Sequence, residues 1–252
     1  GHAIFRVMEE RGHYLGAAFD ADNSANISRK AKEIVNSPFA DCTIHGINAD
    51  DLKNVDCIID FSSPAATIKL IEILRDVRKP VVIGTTGLSP EESEIVKKAS
   101  SDFPVIHSPN MSLGVNLLFK LTEIASAALS TDYDVEIFEA HHRFKKDAPS
   151  GTAKRLLEEV KINMKGLSDA AEVNGREGIT GERTSNEVGM HAMRGGSIVG
   201  EHTVFYVGMD DRLELTHRAS SRDVFARGAV SAAEFLAGKA PGFYTMYDVL
   251  GF

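Results

Sequence analysis

Three short apolar runs, Val55–Phe61, Pro80–Ile83 and Pro104–His107, limit what this chain can fold into. None shows the strict alternation of a strand with one wet face, so each suits a strand buried on both sides, as in a parallel sheet. Helical patterns separate them. Ala65–Arg75 repeats Ile68, Ile71 and Leu74 after the cap-rich break Ser62-Ser63-Pro64. Ser89-Pro90-Glu91-Glu92 is a capping box with proline at the first helical position, and it opens a helix reaching about Ser100. Strand and helix in this rhythm predict a doubly wound α/β sheet, in which ligands lie beyond the C-terminal ends of the strands.

Upstream, His2–Arg11 reads as a helix with Ile4, Phe5 and Met8 on one face and Gly12 as its stop, and Ser28–Val35 as a shorter one. Tyr14–Phe19 reads as a strand ending at Asp20. A helix followed by a strand that ends in an acid is the back half of a dinucleotide-binding βαβ unit, with Asp20 placed to accept from ribose hydroxyls. A turn or capping aspartate fits the same spacing. Asp20, Phe61-Ser62, Gly84-Thr85-Thr86 and Ser108-Pro109-Asn110 all stand at such strand ends. Glycine at 84 would let the backbone approach a ligand, and the threonine hydroxyls would suit a ribose or carboxamide; a plain turn at Gly84 and Gly87 is the alternative.

After a long helix over Leu113–Leu129 the character changes. Asp134–Ala140, Glu187–Met193, Glu201–Gly208 and Arg212–Thr216 read as strands, with Met209-Asp210-Asp211 as a hairpin turn. Strands with few helices between them predict an antiparallel or mixed sheet, hence a second, α+β domain. Arg222–Ala237 is helical again. The expected division is residues 1–112 with 222–252 for the dinucleotide-binding domain, and residues 113–221 for substrate binding and oligomerisation.

Chemistry concentrates in Glu139–Ala153. The strand ending at Ala140 runs into His141, His142, Arg143, Lys145 and Lys146; Pro149-Ser150-Gly151 breaks the chain, and Thr152–Val160 is helical. Proton-transfer groups, fixed cations and a helix N-terminus suit a small anion that is to be protonated. Strand-end histidines satisfied by backbone, and a solvated basic turn, are the plain alternatives; Lys146 belongs with the latter. The net charge of -8 opposes general binding to nucleic acid or an anionic membrane, so any anion site must be local. Cys42 and Cys57 lack metal-ligand spacing and read as free thiols of a reducing compartment; no metal site is expected. With neither a membrane-length apolar run nor a signal-like start, a cytoplasmic protein is expected.

The segment Glu139-Ala140-His141-His142-Arg143 with Lys145 and Asp147-Ala148-Pro149-Ser150-Gly151-Thr152-Ala153 closely resembles the signature of the 4-hydroxy-tetrahydrodipicolinate (dihydrodipicolinate) reductase family. Asp60-Phe61-Ser62, Val82–Gly87, Asn110–Asn116, Arg176-Glu177-Gly178, Gly181-Glu182-Arg183, Ile198–Thr203 and Leu215–Arg222 match family segments in order. The resemblance implies a Rossmann-like domain, NADH or NADPH as cofactor, and a cyclic dicarboxylate substrate in the diaminopimelate route to lysine. It implies His141 as general acid, with Lys145 sharing proton donation or stabilising negative charge. His142, Gly151 and Thr152 would bind substrate. Gly84, Thr85, Thr86, Ser108, Pro109, Asn110 and Met111 would bind cofactor, and a homotetramer is expected. The family's glycine-rich loop would precede Gly1. Ala21 follows Asp20 where some members carry an arginine for the 2′-phosphate, so NADH is expected to serve at least as well as NADPH, unless Arg29 or Lys30 reaches over. Another oxidoreductase of similar architecture, or a nucleotide-sensing module, would share the fold without this reaction.

Overall fold

The computed structural model describes residues 1–129 and 131–252, and contacts divide the chain into Gly1–Leu113 with Asp223–Phe252, and Gly114–Arg222. The first stretch runs α1 (His2–Glu10), β1 (Ala18–Phe19), α2 (Ala31–Val35), β2 (Ile44–His45), α3 (Ala49–Lys53), β3 (Ile58–Asp60), α4 (Pro64–Val77), β4 (Val81–Ile83), α5 (Pro90–Ala99) and β5 (Pro104–His107). Next come α6 (Leu113–Ala128), β6 (Asp134–His141), α7 (Gly151–Asn163), β7 (Ala171–Asn174), β8 (Glu187–Arg194), β9 (Gly200–Val207) and β10 (Arg212–Ala219). The chain then returns to the first unit with α8 (Asp223–Leu236), β11 (Gly242–Tyr244) and α9 (Met246–Leu250). Among the described residues no helix is long and apolar enough to cross a membrane.

In the first unit β11, β5, β4 and β3 form an all-parallel sheet in that order, and β1 and β2 form a separate parallel pair. Strands β3, β4 and β5 are buried on both faces, and successive side chains of β4 enter different cores. Val81 and Ile83 pack with Leu70, Ile71, Leu74 and Val96 of α4 and α5, whereas Val82 packs with Ala229, Ala232 and Leu236 of α8. Burying each such side chain is worth about 1.5–3 kcal/mol. Ser63 caps α4 by accepting from the Ala66 N–H, and Ser89 and Glu92 complete the capping box of α5, so both helices begin where their sequence directs.

Most differences from expectation lie in the short elements, although β10 also runs on to Ala219, past the expected Thr216. Only Ala18–Phe19 of the expected Tyr14–Phe19 strand is paired, and α2 starts at Ala31 because Ser28 adopts a positive φ of 68°. Val55–Phe61 narrows to Ile58–Asp60. The segments β2, α3, β7, β11 and α9 are each too short to show a period, and none was anticipated.

In the second unit the sheet order is β10-β9-β6-β8-β7; β6 is antiparallel to β9 and parallel to β8, making the sheet mixed. Val135 and Ile137 of β6 point to one face with Val188, Met190, Val204 and Tyr206, all buried. Tyr206 ties this face to α6, its hydroxyl 2.7 Å from Ser126 Oγ and donating to the Thr122 carbonyl at 3.1 Å. The other face carries Glu136, Phe138, His191, Glu201, Thr203 and Phe205, which line a shallow groove.

Glu136 anchors the charged loop between β7 and β8. It accepts from Arg176 at 2.9 and 3.1 Å and from Arg183 Nε at 3.2 Å, with His191 Nε2 at 2.6 Å. Its register partner is Gly189, where any side chain would collide with the carboxylate. Burial pushes the Glu136 carboxyl up, but hydrogen bonds from Arg176, His191 and Arg183 outweigh this and hold it at about 2. A depressed carboxyl stabilises the fold fully above its ordinary value of 4.5 and loses that contribution as pH falls towards about 2. Glu136→Gln is therefore expected to lower the urea midpoint at neutral pH by an amount that shrinks as the pH is taken below about 4.5. A gap between variant and parent that stays constant with pH would contradict this role.

Candidate active site

The central position of β6 fixes what surrounds its C-terminal end. His141 lies opposite Arg194 of β8, and Glu139 lies opposite His202 of β9. Side chains two apart on a strand share a face, so Glu139, His141, Arg194 and His202 all stand on the side of Val135 and Ile137. There the chain turns back into α7, whose N-cap is Ser150. Register and helix start thus assemble one cluster from three strands and a helix.

The cluster is closely bonded. Glu139 is 1% exposed, and its Oε2 lies 2.5 Å from His141 Nδ1. Arg194 donates to both carboxylate oxygens, at 2.8 and 2.7 Å, and the Ser150 backbone N–H donates to Oε1 at 3.1 Å. Burial raises the Glu139 carboxyl, but hydrogen bonds from His141 and Arg194 prevail and hold it at about 2, so it is ionised at neutral pH. Ser150 Oγ accepts from the Ala153 N–H and lies 3.0 Å from His202 Nε2. Burial, with the His141 charge acting the same way, lowers His202 to about 3, so its ring is neutral. The His141 and His202 rings meet edge to face at 5.2 Å. Gly200 leaves room for the His141 ring, since a Cβ there would stand 3.1 Å from Nε2.

The remaining expected residues of this stretch fall around the cluster. Lys145 is partly buried, its ammonium donating to both Asp147 oxygens at 2.8 and 2.9 Å. Lys146 is exposed. His142 has a buried Nδ1 with no partner among the described residues, and Arg222 Nη2 lies 3.5 Å from its Nε2. Gly151 and Thr152 are the first residues of α7, which extends to Asn163, beyond the expected Val160. Chemically, the arrangement offers an imidazole oriented by a buried carboxylate, an ammonium, and a helix N-terminus that favours an anion.

In the first unit the expected cofactor residues stand at the ends of parallel strands, but they differ in what they expose. Asp20, at the end of β1, is exposed; its carboxylate accepts from the Ala21 N–H, Ser24 and Asn26, and these bonds, Ser24 foremost, lower its pKa. Thr85 is 3% exposed; its hydroxyl donates to Asp60 and accepts from the Ser62 N–H, so that hydroxyl is engaged inside the unit. Gly84 makes room for the Phe61 ring, with which any Cβ would collide. Ser108 Oγ donates to the Asn110 carbonyl, and Met111 belongs to the core beside α8. Thr86 and Pro109 are exposed.

Three residues that shape the β6 cluster, Glu139, Arg194 and His202, lie outside the expected site residues. The signal for Glu139 was available: it shares the alternation of Val135 and Ile137, and an acid in an inward register needs a partner. Arg194 carries no such signal, because only strand pairing places it opposite His141.

Comparison with known proteins follows the same division. Family models described as dihydrodipicolinate reductase, N-terminus, and dihydrodipicolinate reductase, C-terminus, match residues 1–111 and 114–250. A 4-hydroxy-tetrahydrodipicolinate reductase of Dechloromonas aromatica (strain RCB) is 46% identical over 237 residues, covering 94% of this chain and 88% of the relative. One of Hahella chejuensis (strain KCTC 2396) is 53% identical over 207 residues, covering 80% of this chain and 77% of the relative. The solved structure of a dipicolinate-bound dihydrodipicolinate reductase from Paenisporosarcina sp. TG-14 superposes with a TM-score of 0.73 at 21% identity, covering 97% of this chain and 92% of that one, and speaks for the fold. With both family models matched along nearly all of its length, the chain belongs to the dihydrodipicolinate reductase family.

Proposed function

We propose that this chain reduces 4-hydroxy-tetrahydrodipicolinate to tetrahydrodipicolinate, in the diaminopimelate route to lysine, with NADH or NADPH. The observation that carries this reading is His141 closing β6 and Lys145 in the loop that leads from it to the capped N-terminus of α7. Family membership and the names of the relatives support the same reaction.

Each residue's part follows from its chemistry. Gly151 is exposed and side-chain-free at the first turn of α7, where backbone N–H groups and the helix dipole favour a carboxylate. We assign one substrate carboxylate to Gly151 and Thr152, with His142 beside them and the Arg222 guanidinium adding positive charge. Reduction leaves electron density on the substrate that a proton must quench. His141 donates that proton from Nε2, Nδ1 being engaged by Glu139. Lys145 shares proton donation or stabilises the developing negative charge, leaving Asp147 as it engages the substrate.

The strand ends of the first unit fit a pyridine nucleotide. Asp20 presents an ionised carboxylate suited to ribose hydroxyls, and exposed Phe61, Thr86 and Pro109 follow β3, β4 and β5. The backbone of Gly84, Thr85 and Thr86, and the turn Ser108, Pro109, Asn110 and Met111, would cradle it. When bound, the nicotinamide supplies the hydride.

We further assign self-association, as a homotetramer, to the open face of the mixed sheet. There Phe138 and Phe205 are only partly buried and Met193 is 44% exposed. We place the reaction in the cytoplasm. Light scattering on the purified protein is expected to give four copies, and a stable monomer would contradict the assignment.

Activity tests the site directly. His141→Ala and Lys145→Ala are each expected to lower kcat by about 10²–10⁴-fold in an assay that follows loss of reduced nicotinamide with the cyclic substrate. Turnover left intact by Lys145→Ala would contradict its role. Because Asp20 suits ribose hydroxyls and opposes a 2′-phosphate, kcat/KM with NADH is expected to equal or exceed that with NADPH under matched conditions. A large advantage for NADPH would overturn this.

A further inference from the structure

We propose that Glu139 is the positioning residue of the acid His141, fixing its tautomer, and that Arg194 and the Ser150 backbone N–H hold Glu139 to that task. The inference rests on the reading of His141 as the proton donor.

The geometry gives the two oxygens of Glu139 different duties. Oε1 receives two donors that cannot become acceptors, Arg194 Nη2 at 2.7 Å and the Ser150 N–H at 3.1 Å. Oε2 receives Arg194 Nη1 at 2.8 Å and faces His141 Nδ1 at 2.5 Å. An ionised carboxylate only accepts, so it requires a proton on Nδ1. Other charged or titratable groups near the ring come from different elements: His202 on β9, Lys145 and Asp147 in the loop after β6, and His217 on β10 beyond His202. Among the described residues none of these is hydrogen-bonded to a His141 nitrogen, whereas Glu139 is.

The consequence for the reaction is definite. In the protonated ring Nδ1–H stays with Glu139 and the bond that breaks is Nε2–H; its electron pair remains on Nε2, and the proton goes to the reduced substrate. The ring is left as the neutral Nδ1–H tautomer, which the same carboxylate stabilises. Without that acceptor the neutral ring is free to carry its proton on Nε2, and its orientation is no longer held.

Glu139→Gln tests this with almost no change of shape. Its amide oxygen is expected to settle at the Oε1 position, where two fixed donors wait, turning the NH₂ towards Nδ1 and favouring the opposite tautomer. Turnover should fall by about 10²–10⁴-fold, in line with the loss when an orienting aspartate of a hydrolase triad becomes an amide. The Kd for NADH should stay close to that of the parent. The melting temperature should fall, because Glu139, like Glu136, is a paired carboxyl held at about 2, so turnover is compared at a temperature where both proteins are folded. His141→Ala and the double variant complete a cycle: if Glu139 acts through His141, the double variant loses no more than His141→Ala alone. If His141→Ala leaves turnover intact, the proton-donor reading itself fails. If His141→Ala abolishes turnover while Glu139→Gln retains it, or the two losses multiply, the positioning role is overturned. Imidazole ¹⁵N shifts in the unmutated protein, followed up in pH until the ring is neutral, give a check that does not depend on any variant folding: neutral His141 should show the Nδ1–H tautomer, and an Nε2–H ring would also overturn the proposal.

Discussion

A carboxylate placed in an apolar interior costs several kcal/mol unless it is fully paired, and Glu139 meets that condition on the inner face of a central strand. Its partners come from β6 itself, from β8 and from the N-cap of α7. Each can be in place only when the strands are in register and the helix starts at Gly151. The cluster therefore reports on the fold around it: a slip of one residue in β8 would send Arg194 to the opposite face and leave the acid unpaired. What orients His141 is the same set of bonds that joins strand, strand and helix.

The two units solve the burial problem differently. In the first, β3, β4 and β5 are sandwiched, so most of their residues are apolar and the polar groups gather at the strand ends. The buried acid Asp60 is satisfied by Ser62, Thr67 and Thr85. In the second, helices pack on one face of the mixed sheet and the other face stays polar and aromatic. Charged side chains can therefore enter the sheet in pairs, as Glu136 does with Arg176, Arg183 and His191. Two acids of one strand, Glu136 and Glu139, thus serve opposite faces: one holds a loop, the other a histidine.

Much of this was legible from residues alone. The apolar runs at Pro80–Ile83 and Pro104–His107, the capping box at Ser89, and the alternation of Asp134–Ala140 all correspond to elements of the structure. Local signals of this kind are strong because a cap or a buried run has few ways to be satisfied. Short elements such as β2 and β11 leave no local signal because two or three residues carry no period; sheet neighbours, not propensity, make them strands. Thr85 shows what no local signal carries: its strand-end hydroxyl donates to Asp60, distant in sequence.

The chain's residues by themselves determined the alternation of strand and helix, the change to a strand-rich second unit, and the segment from Glu139 to Ala153 in which imidazoles, cations and a helix start follow one another. Those are local properties, set by side-chain chemistry and spacing. Only the tertiary structure decided which groups touch His141. Arg194 and His202 lie more than fifty residues away in sequence, and strand register brings them to Glu139 and its neighbour. Register is a property of paired strands, fixed by which faces are buried, and no single segment carries it.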